Sequence, residues 1–380
     1  MKVLPELLRA ALSAVLLSGI AGYAETLYTV TDIGGLGSDN GSKALAINDR
    51  GQITGIGALA EPDSTGAGVH AFLYDRGTMS DLGTLGRNSF GLAINNQGQV
   101  AGHSEGPVSG FLVSRAFLYS AGVMHDIGTL GGYGAQAYAI NSKGQITGWS
   151  SLSEFSGQHA FLYSDGVMHD LPVGTFSIGY GINGSGQIVG TSDAVAAGGF
   201  LYSQGVLIPL GTLGGLFSVP FAINERGQVT GGASADPTPD NPFGVEHPFV
   251  YDNGVMRDIG GGHVFIGWGN AINDHGDVVG VANASSTSEF HGFVYRDGTL
   301  ADLNTLLDPT TGAGWVILEA TGIDNRGEIV GTASPVGDPA QAHAVLLRPC
   351  RTGDDHDASG PPQTASSPPR CGSAAAIGGP

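Results

Sequence analysis

A phrase of the form Ala-Ile-Asn-x-x-Gly-Gln-Ile/Val-x-Gly recurs seven times along the chain, with its Asn or Asp at Asn48, Asn95, Asn141, Asn183, Asn224, Asn273 and Asp324. The spacings run from 41 to 51 residues. A second phrase, His-Ala-Phe-Leu-Tyr-x-x-Gly-x-Met-x-Asp-Leu-Gly-Thr-Leu-Gly-Gly, follows each of the first six copies and begins at His70, Arg115, His159, Gly198, His247 and His291. The seventh copy stops early, at His343-Ala344-Val345-Leu346-Leu347. A fixed period of this length is the mark of a repeat architecture, in which each unit buries its apolar face against its neighbours.

Each unit resolves into four short strands, a to d. Asn48-Asp49-Arg50-Gly51 has Asn at the first position of a type I turn and Gly at the last, where glycine takes positive φ without steric cost. Apolar runs on both sides make it a hairpin of strands a and b. In the second phrase, Phe72-Leu73-Tyr74, a turn closed by Gly77, and Met79 to Leu82 give strands c and d. Two glycine-closed hairpins per unit and a glycine-rich Gly-Thr-Leu-Gly-Gly exit account for much of the glycine, 65 in 380 residues. Collagen is excluded because no triplet persists, and with 41% hydrophobic residues in ordered blocks wholesale disorder is disfavoured.

Four strands per unit match one β-propeller blade, with an open β-solenoid as the competing fold. The seventh unit lacks strand d, yet Leu27 to Gly37 copies the strand-d phrase Val123 to Gly131. A chain that starts with strand d and ends with strand c completes its last blade only if the ends meet, which hides both edges. The expectation is therefore all-β: a seven-bladed β-propeller over residues 25–349, closed by an N-terminal strand that completes the last blade.

The two phrases resemble the HAF repeat family, bacterial exported proteins named for the His-Ala-Phe triplet present at His70-Ala71-Phe72 and His159-Ala160-Phe161. That resemblance implies an extracellular or periplasmic repeat protein and no particular activity.

Residues 1–24 read as a secretory signal peptide, with Lys2 and Arg9 near the start, an apolar run from Ala10 to Ala21, and Gly22 and Ala24 at −3 and −1 of a cut. The run is shorter than the ~20 residues a membrane span needs, and no later segment is a candidate, so no transmembrane span is expected. Residues 350–380 read as a low-complexity, disordered tail. Its cysteines, Cys350 and Cys371, are the only two in the chain and could form one disulfide after export. A net charge of −19 argues against a nucleic-acid or anionic-membrane partner. A secreted or periplasmic monomer is expected.

Five units carry His at the start of strand c, and four have an acid eleven residues on: His70 with Asp81, His159 with Asp170, His247 with Asp258, and His291 with Asp302. Folding c onto d around a three-residue turn brings each pair close. A catalytic pair is needed once and this one recurs, so a structural hydrogen bond is the expected role, and His343 should then meet Asp32. Gly102-His103-Ser104-Glu105-Gly106 matches the nucleophile-elbow string, but it follows a strand in a β-only unit with no helix behind it. No zinc-binding His-Glu-x-x-His, paired Cys-x-x-Cys, P-loop or EF-hand string occurs. No catalytic residue, metal ligand or cofactor is assigned; calcium remains open, with its acids scattered rather than at ligand spacing.

Propeller geometry puts the a–b and c–d turns on one face and the b–c and d–a loops on the other. The long b–c loops carry Glu61, Asp63, Glu105, Glu154, Asp193, Asp236, Asp240, Glu246, Glu289 and Asp338 with no Lys or Arg among them. Aromatics mark the d–a loops: Phe90, Tyr133, Phe176, Phe217, Phe265, Trp268 and Trp315. Aromatic faces beside carboxylates suit sugar recognition, whereas ring packing between blades and acids kept for solubility are the plainer alternatives. The ligand-binding candidates are Tyr133, Trp268, Trp315, Glu105, Glu154, Asp193 and Glu289. The expected function is a non-enzymatic binding or scaffold module for an extracellular neutral glycan or a cationic protein surface. The rivals are a polysaccharide-active enzyme, a glycosidase or lyase on the same propeller, and a purely structural cell-surface repeat. Two carboxyls converging in one aromatic pocket would favour the glycosidase.

Overall fold

The computed structural model describes residues 27–108, 111–153, 157–235, 244–261, 264–284, 289–338, 341–350 and 371. The expected signal peptide (1–24), Glu154 and all of the 350–380 tail except its two cysteines lie outside them. Seven four-stranded antiparallel sheets form, each with its strands in the order a-b-c-d, and together they make a seven-bladed β-propeller. The inner strands a run over Gly37–Ile47, Ser89–Ile94, Ala135–Ile140, Ser177–Ile182, Gly214–Ile223, Val264–Ile272 and Trp315–Ile323. No described helix is long and apolar enough to cross a membrane.

The strand Leu27–Asp32 is strand d of blade 7. It pairs antiparallel with His343–Cys350, from Leu27 opposite Cys350 to Asp32 opposite Val345. Its outer edge is covered as well: Tyr28 N–H donates to Leu306 O and Asp308 N–H to Tyr28 O, both at 2.8 Å. Tyr28 is fully buried with Leu303, Ile317, Val345 and Leu347 in the core of this blade. Cys350, at the end of the strand Leu27 pairs with, forms a disulfide with Cys371, with 5.3 Å between the Cα atoms.

Between blades the core is one repeated contact. The Phe of the His-Ala-Phe triplet or its equivalent (Phe72, Phe117, Phe161, Phe200, Phe249, Phe293) is buried in six blades, and Val345 takes the place in the seventh. A burial of this size contributes about 1.5 to 3 kcal/mol per side chain.

The c–d turns differ from expectation. Strand c pairs with d through Asp75 opposite Thr78, so the turn holds two residues, not three. Arg76 and Gly77 both take positive φ, 48° and 84°, and the same pair recurs at Ala121/Gly122, Asp165/Gly166, Gln204/Gly205, Asn253/Gly254 and Asp297/Gly298. This is the type I′ geometry, whose twist matches that of the flanking strands. Strand d therefore begins one residue earlier and carries its Asp up to the His. His70, His247 and His291 Nδ1 lie 2.9, 2.8 and 2.7 Å from Asp81, Asp258 and Asp302, and His159 lies 3.2 Å from Asp170. Burial pushes the Asp258 carboxyl up, but hydrogen bonds from His247 and Gly260 outweigh it and hold it below the usual range. In blade 2, Arg115 takes the place of His and pairs with Asp126. His343 Nδ1 reaches Asp32 at 2.9 Å across the closing seam.

Every a–b hairpin contains the same irregularity. Its register shifts between Ala44 and Ala46, Gly91 and Ala93, Ala137 and Ala139, Gly179 and Gly181, Pro220 and Ala222, Gly269 and Ala271, and Ala320 and Gly322. The extra residue is the one three positions before the repeated Asn. A bulge bends its strand and re-aims a side chain. It also drives the strand-a carbonyl onto strand b, which accounts for the glycine that closes the first phrase: a Cβ at Gly148 would sit 1.8 Å from Gln136 O.

Candidate functional site

The seven a–b turns meet at one end of the axis. Within a turn, Asn48 Oδ1 accepts from the N–H of Arg50 and of Gln52, both at 3.0 Å. Its Nδ2 donates to Gln52 Oε1 and to the Asn95 carbonyl of the next blade, at 2.9 and 2.8 Å. The inter-blade bond repeats from Asn95 to Asn141, Asn183, Asn224, Asn273 and Asp324, at 2.9 to 3.2 Å. The Asn-x-x-Gly-Gln string is thus an inter-blade stitch as well as a turn.

The ring has six amide links. Asp324 occupies the seventh place and has no N–H to give. Its Oδ1 accepts from Arg326 and Glu328 N–H at 2.9 Å, and its Oδ2 accepts from Arg326 Nε at 3.0 Å. Burial pushes this carboxyl up to about 6, against the lowering pull of the Glu328 N–H and the Arg326 guanidinium. Because the folded chain holds this proton more tightly than the unfolded chain, whose Asp titrates near ~3.9, stability falls as pH climbs from about 4 through 6. Asp324→Asn is expected to remove that component and supply the missing link to the Asn48 carbonyl. A gain of about 1 to 2 kcal/mol at pH 7.5, shrinking towards pH 4, is expected in thermal unfolding across the pH range. A loss of stability at pH 7.5 would contradict it.

From this ring a channel runs along the axis. Its middle section, about 220 Å³, is lined by the bulged residues Leu45, Leu92, Tyr138, Tyr180, Phe221, Asn270 and Thr321. Tyr138, Tyr180 and Phe221 form an aromatic arc, with centroids 5.5 and 5.8 Å apart. The facing side is polar: Asn270 Nδ2 donates to Glu319 Oε1 and to the Ala320 carbonyl at 3.0 Å, and Thr321 Oγ1 donates to the Ala44 carbonyl at 2.8 Å.

At the end formed by the b–c and d–a loops the channel opens into a vestibule of about 570 Å³, lined by Lys43, Phe221, Trp268, Asn270, Val281, Phe290, Leu318, Glu319, Thr332 and Ala342. Trp268 is fixed from three sides. Its indole N–H donates to the Glu246 carboxylate, and its ring stacks on Phe290 at 5.8 Å and 13°. The third contact is Gly232, where a Cβ would come within 2.3 Å of the indole. The Thr332 hydroxyl is buried and has no hydrogen-bond partner among the described residues.

Of the seven candidates from sequence, Trp268 lines this vestibule. It does so from strand a, where Phe90, Phe217, Phe265 and Trp315 also lie instead of in loops. Trp315 packs on the blade 7 core, its ring edge-on to His343 at 5.3 Å. Glu105 is on strand b of blade 2, not in a loop, and its carboxylate accepts from Asn88 Nδ2 at 2.8 Å. Asp193 accepts from the Thr175 backbone and hydroxyl, and the hydroxyl hydrogen bond is the main reason its carboxyl falls below the usual range. Glu289 is exposed, 4.0 Å from His291 Nε2. Tyr133 is half-buried in its loop. None of these lines the vestibule, and Glu319 is its only carboxylate among the described residues. Ser104, of the nucleophile-elbow string, is fully buried, its hydroxyl donating to the Asn88 carbonyl at 3.0 Å.

Lys43, Phe221, Asn270, Phe290, Glu319 and Thr332 were not legible as site residues. For the four on strand a a signal existed: the residues three and five places before the repeated Asn vary between units while Ala-Ile-Asn hardly does. Lys43 also puts a cation where the long loops offered only acids, because it comes from strand a.

No protein-family model matches the chain, and no curated protein matches it. Among solved structures it is similar to the β-propeller domain of the Trilobed protease from Pyrococcus furiosus, described as having an open velcro topology. The two are 10% identical with a TM-score of 0.54, over 85% of this chain and 93% of that one. A gluconolactonase from Xanthomonas campestris also matches, at 11% identity and a TM-score of 0.38, over 87% of this chain and 93% of that one. At these identities the likeness is one of fold alone.

Proposed function

We propose that the protein is an extracytoplasmic binding module whose ligand is a neutral glycan, seated in the axial vestibule on Trp268. The observation that carries this reading is the immobilised Trp268 ring, beside Phe221 and Phe290, in a concave site with only a few polar groups placed around it. Largely apolar pockets with a few convergent polar atoms are the usual form of small-ligand sites. Asn270 and Glu319 are placed for sugar hydroxyls, and the aromatic faces for the C–H face of a ring. The Cys350–Cys371 disulfide suits an oxidising compartment. With Glu319 the only vestibule carboxylate among the described residues, the two-acid arrangement of a glycosidase gains no support from them.

Trp268→Ala should weaken binding to the responding members of a glycan panel by about tenfold or more, read by calorimetry on the folded chain. Glu246→Gln, which leaves the ring in place but weakens its anchor, should cost less. Glycan binding unaffected by Trp268→Ala would sink the proposal.

A further inference from the structure

We infer that the vestibule takes the end of a glycan chain whose terminal residue is a hexuronate on an otherwise neutral oligosaccharide. This rests on the vestibule being the glycan site and adds a single charge, at the chain end, to the otherwise neutral ligand proposed above. Two groups there have no partner among the described residues. The Lys43 ammonium makes no ion pair within 4.0 Å with any described residue, although Glu319, whose Oε1 accepts from Asn270, lines the same cavity. The Thr332 hydroxyl is unpartnered in a residue only 5% exposed, a position where an unmade hydrogen bond is costly. Both groups donate, and a carboxylate is the acceptor that uses an ammonium and a hydroxyl together through charge-assisted bonds.

The rest of the surface limits how many carboxylates the ligand can carry. Asp63, Asp193, Glu289 and Asp338 stand around the same face, and the chain carries −19 overall, so a polyuronate would be repelled as it approached. A single terminal charge meets far less of that repulsion. The path below sets the orientation: under the vestibule lie a smaller cavity of about 220 Å³ walled by the bulged residues and then the ring of turn asparagines, so a chain that enters along the axis does so end first.

The test is calorimetry of the full folded chain with a neutral glucose trisaccharide and with the same trisaccharide oxidised to glucuronate at its terminal residue. The acid-ended ligand should bind about tenfold tighter. Lys43→Gln should bring its affinity down to that of the neutral ligand, Lys43→Arg should keep the preference, and Thr332→Val should reduce it. Equal affinities in the parent chain, or a preference that survives Lys43→Gln, would overturn the inference while leaving Trp268-dependent glycan binding intact. A polyuronate bound as tightly as the singly charged ligand would overturn the single-charge reading. If neither trisaccharide binds, the inference and the glycan reading fall together.

Discussion

Gly148→Ala should cost about 4 kcal/mol or more, enough to shift the urea midpoint of the whole chain. The added methyl would lie 1.8 Å from the Gln136 carbonyl oxygen, and its other near contacts, the Gln136 carbonyl carbon and the Ala137 Cα, are also backbone. No side chain can rotate away, so the bulge itself must open, and large losses of this kind come from forcing backbone apart. Two other glycines calibrate the effect. At Gly122 a Cβ meets nothing within 4 Å but φ is +83°, so alanine there should cost about 1 kcal/mol. At Gly68 a Cβ also meets nothing within 4 Å and φ lies outside the left-handed region, so alanine should be near neutral. If all three variants unfold at the same denaturant concentration, the close approach of strand a to strand b is wrong.

Removing the closing strand should be as severe. A chain beginning at Ile33 loses Tyr28 and Val30 from the blade 7 core and leaves His343–Cys350 as an unpaired edge. The melting temperature should drop by about 10 °C or more, and the exposed edge should recruit other chains, visible as higher-order species by size exclusion. A synthetic peptide covering residues 27–36 should restore a monomeric elution profile by occupying the vacated edge. A truncated chain that melts like its parent would show that the ring does not depend on this clasp.

The parts of the fold legible in the sequence are those fixed by one unit alone or by counting units. The hairpins follow from glycine placement, and closure follows from the strand missing at Leu347 and present at Leu27. What the sequence hid arises between units. A repeated Asn reads as a turn former because that role is local, whereas its Nδ2 bond to the next blade needs the ring. The strand-a bulge leaves no signal on its own strand, and the glycine on strand b that makes room for its carbonyl reads in the sequence as a turn-side residue. The vestibule gathers Lys43, Phe221, Trp268 and Glu319 from four blades, so their nearness depends on closure. The two-residue length of the c–d turns is also hidden, because Arg76, Ala121 and Gln204 are not residue types that favour positive φ.

The bulges separate what holds the propeller together from what faces its axis. The seven bulged residues are hydrophobic, aromatic, amide and hydroxyl by turns, yet the hairpins that carry them share one backbone course. Five of the seven positions therefore work as exchangeable sockets, whereas Asn270 and Thr321 also bond the carbonyls of the neighbouring blades. Libraries varying positions 45, 92, 138, 180 and 221 would change lumen chemistry combinatorially while keeping those links, making this propeller a ready scaffold for engineered small-molecule receptors.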